Sequence, residues 1–466
     1  MSAPASRLVC WGCGGVPEPR DPYPFRCPRA GVGDVDHVLV RVLDVDRVRF
    51  PDGVAGTDSP FVHYRELLHS HHRASAAGVG DEEICEIVTR LDDAVARVAG
   101  GGFRATPFGR DDALSDRLGF SATGGVWVKD ETGNVAGSHK GRHLMGVLLH
   151  LEVAERLGLA DPAHRPDLAI ASCGNAALAA AVVARAADRR LRVFVPVDAD
   201  PVVLGGLRDL GADVVTCVRT PDSGGDPAYQ RLRAELAAGA LPFTCQGSEN
   251  GLVIEGGETL GYEIASDLQA AGIALDHLVV QVGGGALASA CIQALDEAAE
   301  LGALDHRPRV HTVQTTGGHP LERAYARVRA GLDASAGRAE IDEALHEAAR
   351  HRSAFMWPWE GEPRSIATGI LDDETYDWRA VVGGMLATGG RPLVVTEERL
   401  TGARDLGHAA GYSVDPTGSS GLAGLLDLLA DGDVDADARV GVLFTGVDRS
   451  PGGSMDPSGP SRPGAR

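Results

Sequence analysis

Four segments of the chain carry residues whose type and spacing could do chemistry. In VWVKDETGNVAGSHKGRHL, residues 126–144, an apolar run over 126–129 gives way to acids and then to a Gly/Asn turn. A helix is predicted to begin at about Ser138, with that hydroxyl as its N-cap. Lys140 then falls in the first helical turn. Cations are favoured at helix C-termini, so the positive end of this helix disfavours the ammonium form and leaves the amine more available as a nucleophile. Alone, the segment reads more readily as a solvated basic cluster with Arg142 and His143.

In LAIASCGNAALAAAVVARA, residues 168–186, an apolar strand passes through Ser172-Cys173-Gly174-Asn175 into an Ala-rich helix. Small residues let a flat ligand approach the backbone, and Asn175 offers it an amide. An ordinary strand–helix turn capped by Asn175 uses the same residues. In HLVVQVGGGALASACIQAL, residues 277–295, a strand precedes Gly283-Gly284-Gly285, and a helix opens with Ala286-Leu287. Bare backbone N–H groups at a helix N-terminus, reinforced by the dipole, make an anion site, with phosphate the natural ligand. In VGVLFTGVDR, residues 440–449, a strand ends at Thr445-Gly446. That sets a hydroxyl at the carboxyl edge of a sheet, where open α/β sheets bind ligands.

The elements that must position these groups recur along the chain. Apolar runs at 168–172, 192–197, 278–282, 310–314, 392–396 and 440–445 read as strands. Helical patterns at 176–187, 201–210, 260–271, 286–300 and 421–430 alternate with them. The strands are continuously apolar, as in a parallel sheet covered on both faces. The expectation is an α/β protein. Residues 329–351 read as an exposed helical insertion, 223–227 as a linker, and His69-Ser70-His71-His72 as a solvated helix face. The stretch 451–466, with four Pro, four Gly and three Ser, reads as a disordered tail.

Composition narrows the partners. Of 466 residues, 44% are hydrophobic, enough for a sizeable core. Lys plus Arg number 44 against 65 Asp plus Glu, a net charge of −21. Phosphate backbones and anionic lipid would repel such a chain, so nucleic acid and membrane surfaces are not expected partners. No apolar run approaches the ~20 residues of a membrane span, and no secretory signal is evident at the start. Eight Cys are too few for a disulfide scaffold, so the expected setting is the reduced cytoplasm.

Two nucleotide readings fail on detail. Gly283-x-Gly285-x-x-Ala288 fits the loose dinucleotide fingerprint, but the next strand ends in Gln314-Thr315-Thr316 rather than in the acid that would hold a ribose. A nicotinamide-dependent oxidoreductase is therefore disfavoured. The GSHK around Lys140 lacks the Gly that directly precedes a P-loop lysine.

Taken in order, the four segments resemble the fold-type II enzymes that use pyridoxal 5′-phosphate (PLP), the tryptophan synthase β-like superfamily, and most closely its threonine synthase-like branch. Lys140 in GSHKGRH looks like the lysine that carries PLP, usually set in Ser-Phe-Lys. Ser172 and Asn175 look like the loop that contacts the pyridine ring and its 3′-oxygen. Gly283, Gly284, Gly285, Ala286 and Leu287 look like the phosphate loop, and Thr445 like the hydroxyl facing the pyridine nitrogen. Thr106-Pro107 and the stretches 250–264 and 365–370 extend the likeness, which covers about residues 60 to 450. His139 in place of the Phe is reminiscent of the tryptophan synthase β subunit.

The resemblance implies two open, mostly parallel sheets flanked by helices, with PLP in the cleft between a large domain (38–140 and 263–450) and a smaller one (141–262). It also implies a homodimer and a small amino-acid substrate. A neutral hydroxyl at the pyridine nitrogen makes a weaker electron sink than a carboxylate would. Elimination or replacement at Cβ or Cγ is then favoured over transamination. The implied activity is that of a threonine synthase, converting O-phosphohomoserine to threonine and phosphate; a threonine/serine ammonia-lyase is the alternative. A non-catalytic relative is disfavoured because Lys140 and Asn175 are present. Arg142, Arg364 and His139 are candidates to receive a leaving phosphate.

The start of the chain, Cys10-x-x-Cys13-Gly and then Cys27-Pro-Arg-Ala30, resembles the zinc-ribbon-like start of some threonine synthase-like proteins. Tetrahedral zinc wants four ligands, and Ala30 stands where the fourth Cys would fit. His37, Asp34 or Asp36 could substitute. The expectation is no bound metal, only a degenerate ribbon packed as an N-terminal arm over 1–37.

Overall fold

The structure, a computed structural model, describes residues 3–56, 59–218, 226–333, 335–361 and 363–449. The expected tail at 451–466 and most of the expected linker at 223–227 lie outside the described residues. Asp226, at the end of that linker, caps the helix Pro227–Ala237 by accepting the Ala228 N–H.

In chain order the strands are β1 (Ser6–Cys10), β2 (Leu39–Leu43), β3 (Phe108–Asp111), β4 (Gly125–Asp130), β5 (Leu168–Ala171), β6 (Leu191–Pro196), β7 (Asp213–Cys217), β8 (Leu241–Pro242), β9 (His277–Gln281), β10 (Arg309–Thr315), β11 (Pro392–Val395) and β12 (Arg439–Phe444). They form three sheets. β1 and β2 pair antiparallel. A six-stranded sheet has the order β11-β10-β9-β12-β4-β3 and is parallel except where the edge strand β3 meets β4. A four-stranded sheet, β7-β6-β5-β8, is parallel throughout. The six strands expected from the sequence match β5, β6, β9, β10, β11 and β12 to within a residue at each end. Two open, mostly parallel sheets flanked by helices are the observed architecture.

Both faces of the six-stranded sheet are buried. Leu278 and Val280 of β9 join Trp127, Leu443 and Trp378 on one side, while Val279 between them joins Val128, Val313 and Val442 on the other. Alternate side chains of one strand thus feed two cores, as the pleat requires. The helix carrying Lys140 (Lys140–Arg156) crosses the helix Val253–Ala271 where Gly146 and Gly256 meet. A Cβ on Gly146 would lie 2.7 Å from the Gly256 backbone, so only glycine permits this approach. The crossing fixes the height of the Lys140 helix over the sheet.

Three local expectations are corrected. Ser138 does not cap the helix: Ala136 and Gly137 take left-handed backbone (φ 57° and 66°), Ser138 runs extended and bridges Gly446, and His139 is the N-cap. The His69–His72 cluster is not a solvated face. His69 and His72 are buried, each with Nδ1 2.8 Å from the Ser6 hydroxyl of β1. The helix Arg338–Arg350, within the expected insertion, buries Ile341, Leu345, Ala348 and Ala349 and so is exposed on one face only.

Candidate active site

The residues singled out from the sequence converge at the carboxyl ends of parallel strands, the edge at which open α/β sheets bind ligands. Lys140 follows β4, Asn175 follows β5, Gly283–Gly285 follow β9 and Thr445 follows β12. The His139 N–H points to the Thr445 carbonyl at 3.4 Å, and His139 Nδ1 lies 3.2 Å from the same oxygen. The backbone before Lys140 is therefore laced to the strand end at Thr445. Gln281, the last residue of β9, donates from Nε2 to the Thr445 hydroxyl at 2.6 Å and ties β9 to β12. Asn175, from the four-stranded sheet, abuts Gly446: a Cβ there would lie 2.7 Å from Asn175 Nδ2. Both sheets thus contribute to one cleft.

Gly283, Gly284 and Gly285 precede the helix Ala286–Glu300, with Gly285 as its left-handed N-cap (φ 100°). The cleft wall facing them is the segment 372–377. A Cβ on Gly283 would lie 2.5 Å from Asp372 Oδ2, and one on Gly285 would meet Thr375 and Asp377 at 3.0 and 3.1 Å. The Asp372 carboxylate accepts the Gly284 N–H. Burial pushes its pKa up to about 6, against the pull of Lys140 and of that N–H. Asp377 accepts the N–H of Gly247. Burial and the nearby Asp36 push its pKa up to about 7, again against Lys140. Lys140 thus shares its field with two carboxyl groups on the opposite wall.

Beneath the cleft lie buried imidazoles. Burial and Lys140 hold His139 well below the ordinary histidine range. Burial, with Lys140 adding to it, brings His143 down to about 3. His143 Nδ1 lies 2.8 Å from the Val253 carbonyl, which makes it the donor and leaves Nε2 a bare acceptor. Among the described residues, the Nε2 atoms of both rings and the Ser138 hydroxyl find no hydrogen-bond partner. Unpaired buried polar atoms are costly; those of Ser138 and His139 directly precede Lys140, whereas the His143 ring packs against Gly257.

The proposed roles of individual side chains meet several facts that the sequence did not show. Arg142 is fully buried under the cleft. Its guanidinium pairs with Glu131 at 2.9 Å and Glu263 at 2.6 Å, and Lys129 pairs with Glu263 at 2.6 Å. It cannot receive a leaving phosphate. His139 is uncharged at neutral pH, and Arg364 is exposed, its backbone packed on Gly317. The Asn175 carboxamide is already engaged, its Oδ1 by Arg449 and its other end by Asp415. Gly174 N–H points to the Ser172 hydroxyl at 3.4 Å, and Cys173 is exposed between Ser172 and Gly174. Ala286 and Leu287 are buried in the first turn of their helix. Gln281, Asp372, Asp377 and Asp415 were missed altogether. An amide at the last position of an apolar strand, as at Gln281, was the one local signal available.

A helix N-terminus stripped of side chains, whose Gly284 N–H already holds a carboxylate oxygen, faces a lysine across a cleft formed where two parallel sheets meet. That donor set fits a phosphorylated aldehyde: the N-terminus for the phosphate, the amine for the carbonyl carbon. This is the architecture of a fold-type II PLP enzyme. Residues 99–446 match the family model described as pyridoxal-phosphate dependent enzyme, and the chain belongs to that family. The threonine synthase of Methanocaldococcus jannaschii is 24% identical over 413 residues, covering 87% of this chain and 90% of its own. That of Methanosarcina acetivorans is 26% identical over 345 residues, 73% of this chain and 74% of its own. Among solved structures, the fold is shared with a threonine deaminase from T.th. (TM-score 0.56, 22% identity, covering 78% of this chain and 98% of that one). It is shared also with an L-serine ammonia-lyase from Rhizomucor miehei (TM-score 0.55, 19% identity, 74% and 94%). The protein is a PLP-dependent lyase of the threonine synthase-like kind. Among the described residues no helix is long and apolar enough to cross a membrane.

Proposed function

We propose that the chain converts O-phosphohomoserine to threonine and phosphate, with PLP carried on Lys140. The observation that carries this reading is the match to threonine synthases along nearly the whole chain, together with the meeting of Lys140, Thr445 and the glycine loop in one cleft. When bound, PLP supplies the electron sink for the carbanion next to the amino group. The protein's own residues do the rest. The N-terminus of the Ala286–Glu300 helix would hold the phosphate of the cofactor. Gln281 Nε2 donates to Thr445 Oγ1, so the Thr445 hydroxyl keeps its own proton to give to a ring-nitrogen acceptor. Ser172 and Asn175 would line the ring, with Asn175 held in place by Arg449 and Asp415. The Lys140 amine would move the proton at the substrate Cα. Asp372 and Asp377, on the opposite wall, lie close enough to feel the Lys140 charge.

One observation favours the second reading, a threonine/serine ammonia-lyase. A departing phosphate needs cationic partners, and Arg142 and His139 supply no free positive charge here. A hydroxyl leaving group has no such need. The homodimer rests on the family resemblance alone. The cytoplasmic setting is supported by eight cysteines, all free.

The deciding experiment incubates the purified holoenzyme with phosphohomoserine, threonine, serine and O-acetylserine and scores phosphate, ammonia and acetate. Phosphate release with equimolar threonine supports the first reading. Ammonia from threonine or serine without that reaction replaces it with the second.

A further inference from the structure

At the N-terminal end of the chain, Cys10, Cys13, Cys27 and His37 bring their ligand atoms together, none more than 4.8 Å from another. The sequence had left three cysteines one ligand short. Ala30, where a fourth cysteine was sought, packs beside the sulfurs, and His37 takes the remaining corner. Asp34 and Asp36 are turned elsewhere, toward Ser353 and Arg352. We propose that these four side chains bind one zinc ion.

The backbone explains how the group assembles. β1 ends at Cys10, and the chain reverses through Gly14 (φ 68°), whose N–H returns to the Cys10 carbonyl at 2.8 Å. A second tight turn opens at Cys27, whose sulfur accepts the Arg29 N–H at 3.3 Å. His37 Nε2 lies 3.0 Å from the Val32 carbonyl, so it carries the proton and leaves the Nδ1 lone pair facing Cys10 Sγ at 3.7 Å. A carbonyl that orients a ligating imidazole from behind is a recurrent part of metal sites. Cys13 Sγ and Cys27 Sγ stand 3.5 Å apart. A tetrahedron with bonds of about 2.0–2.3 Å has edges of roughly 3.3–3.8 Å, so both spacings suit a four-coordinate zinc. Gly15 closes the group: a Cβ there would press on the Cys13 and Cys27 sulfurs at 3.2 and 3.3 Å. Thiolate and imidazole donors select zinc over magnesium or calcium, and four protein ligands leave no open position, so the ion is structural.

The site braces the catalytic wall. The ring of Trp11, inside the Cys10–Cys13 turn, lies 4.3 Å from the Arg379 guanidinium. Asp36, next to His37, pairs with Arg352, which also holds Glu374. Glu374 lies within Asp372–Asp377, the segment facing Lys140, and Arg379 lies just beyond it. The ion thus fixes the arm against the segment that lines the cleft.

The test is elemental analysis of holoenzyme expressed with added zinc and then desalted. The expected result is about one zinc per chain, falling below about 0.2 in both Cys13→Ser and His37→Ala. Protein expressed with cobalt should show thiolate-to-cobalt charge transfer and tetrahedral ligand-field bands, both lost in Cys13→Ser. Thermal stability should drop when zinc is removed, whether by chelation or in either variant. Should one variant fail to fold, the other gives the same reading. Wild-type protein with less than about 0.2 zinc per chain overturns the proposal. So does zinc retained in both variants, or a Cys13–Cys27 disulfide in protein grown with zinc.

Discussion

The Asp372 carboxylate accepts the backbone N–H of Gly284, at the spot where the glycine loop presents its donors to an anion. A side chain of the protein therefore occupies part of the phosphate cradle. With a pKa of about 6 it is mostly charged at neutral pH. It competes with the cofactor phosphate for the N–H and repels it. Asp372→Asn keeps an acceptor and removes the charge. It should tighten PLP binding to apoprotein by on the order of 1–2 kcal/mol, roughly 5- to 30-fold, when read by absorbance titration. Unchanged or weaker binding would show that the carboxylate does not contest the cradle.

Lys140 is the only amine assigned to the cofactor. Purified wild-type protein should absorb at roughly 410–420 nm, the band of lysine-bound PLP. Lys140→Ala should lose that band after dialysis against amine-free buffer and lose activity with it. A band that persists in the variant moves the attachment elsewhere.

Most of the fold was legible because its signals are local. An apolar run, a glycine or polar turn and an Ala-rich stretch are complete within about twenty residues, and β5, β9 and β12 each declare themselves that way. The site was legible only where it follows such a run, at Lys140, Asn175, Gly283–Gly285 and Thr445. Asp372 and Asp377 sit in a loop without periodicity and gain meaning only against glycines some ninety positions away. His69 and His72 looked solvated because their partner, Ser6, belongs to a strand 63 and 66 residues upstream of them. Ser138 looked like a cap because Ala136, a non-glycine residue in left-handed backbone, gives no compositional warning.

Arg142 lies under the Lys140 helix with Glu131 and Glu263 on it and Lys129 alongside, two cations against two carboxylates. Glu131 is held down at about 2 against its burial, chiefly by Arg142. Arg142→Met would leave two buried carboxylates to one lysine. Breaking such a pair from one side costs about 3–5 kcal/mol. Urea unfolding should show a loss of that size. A loss under about 1 kcal/mol would mean that water reaches the network.

Arg41 makes the opposite imbalance. One buried guanidinium on β2 faces Glu255 at 3.6 Å, Glu297 at 2.9 Å and Glu258 in direct contact, with Tyr262 between the last two. Burial drives the Glu255 pKa up to about 7, Arg41 notwithstanding, and raises Glu258 further in the same direction. A carboxyl whose folded pKa exceeds its unfolded value of about 4.5 binds its proton more tightly when folded. The stability it contributes is complete below pH ~4.5 and is lost as pH rises through 7 to 8. The buried histidines act on the other side. Burial lowers His143 and His150 to about 3, so folding excludes their protons and their contribution is lost as pH falls below ~6.5. The melting temperature should therefore peak near pH ~6–7 and decline on both sides, with the alkaline limb amounting to on the order of 1–3 kcal/mol. Glu258→Gln carries no titrating proton and should flatten the alkaline limb while leaving the acid limb in place. Melting curves collected across pH for both proteins decide it: an alkaline limb equally steep in the variant would clear the Arg41 cluster of responsibility.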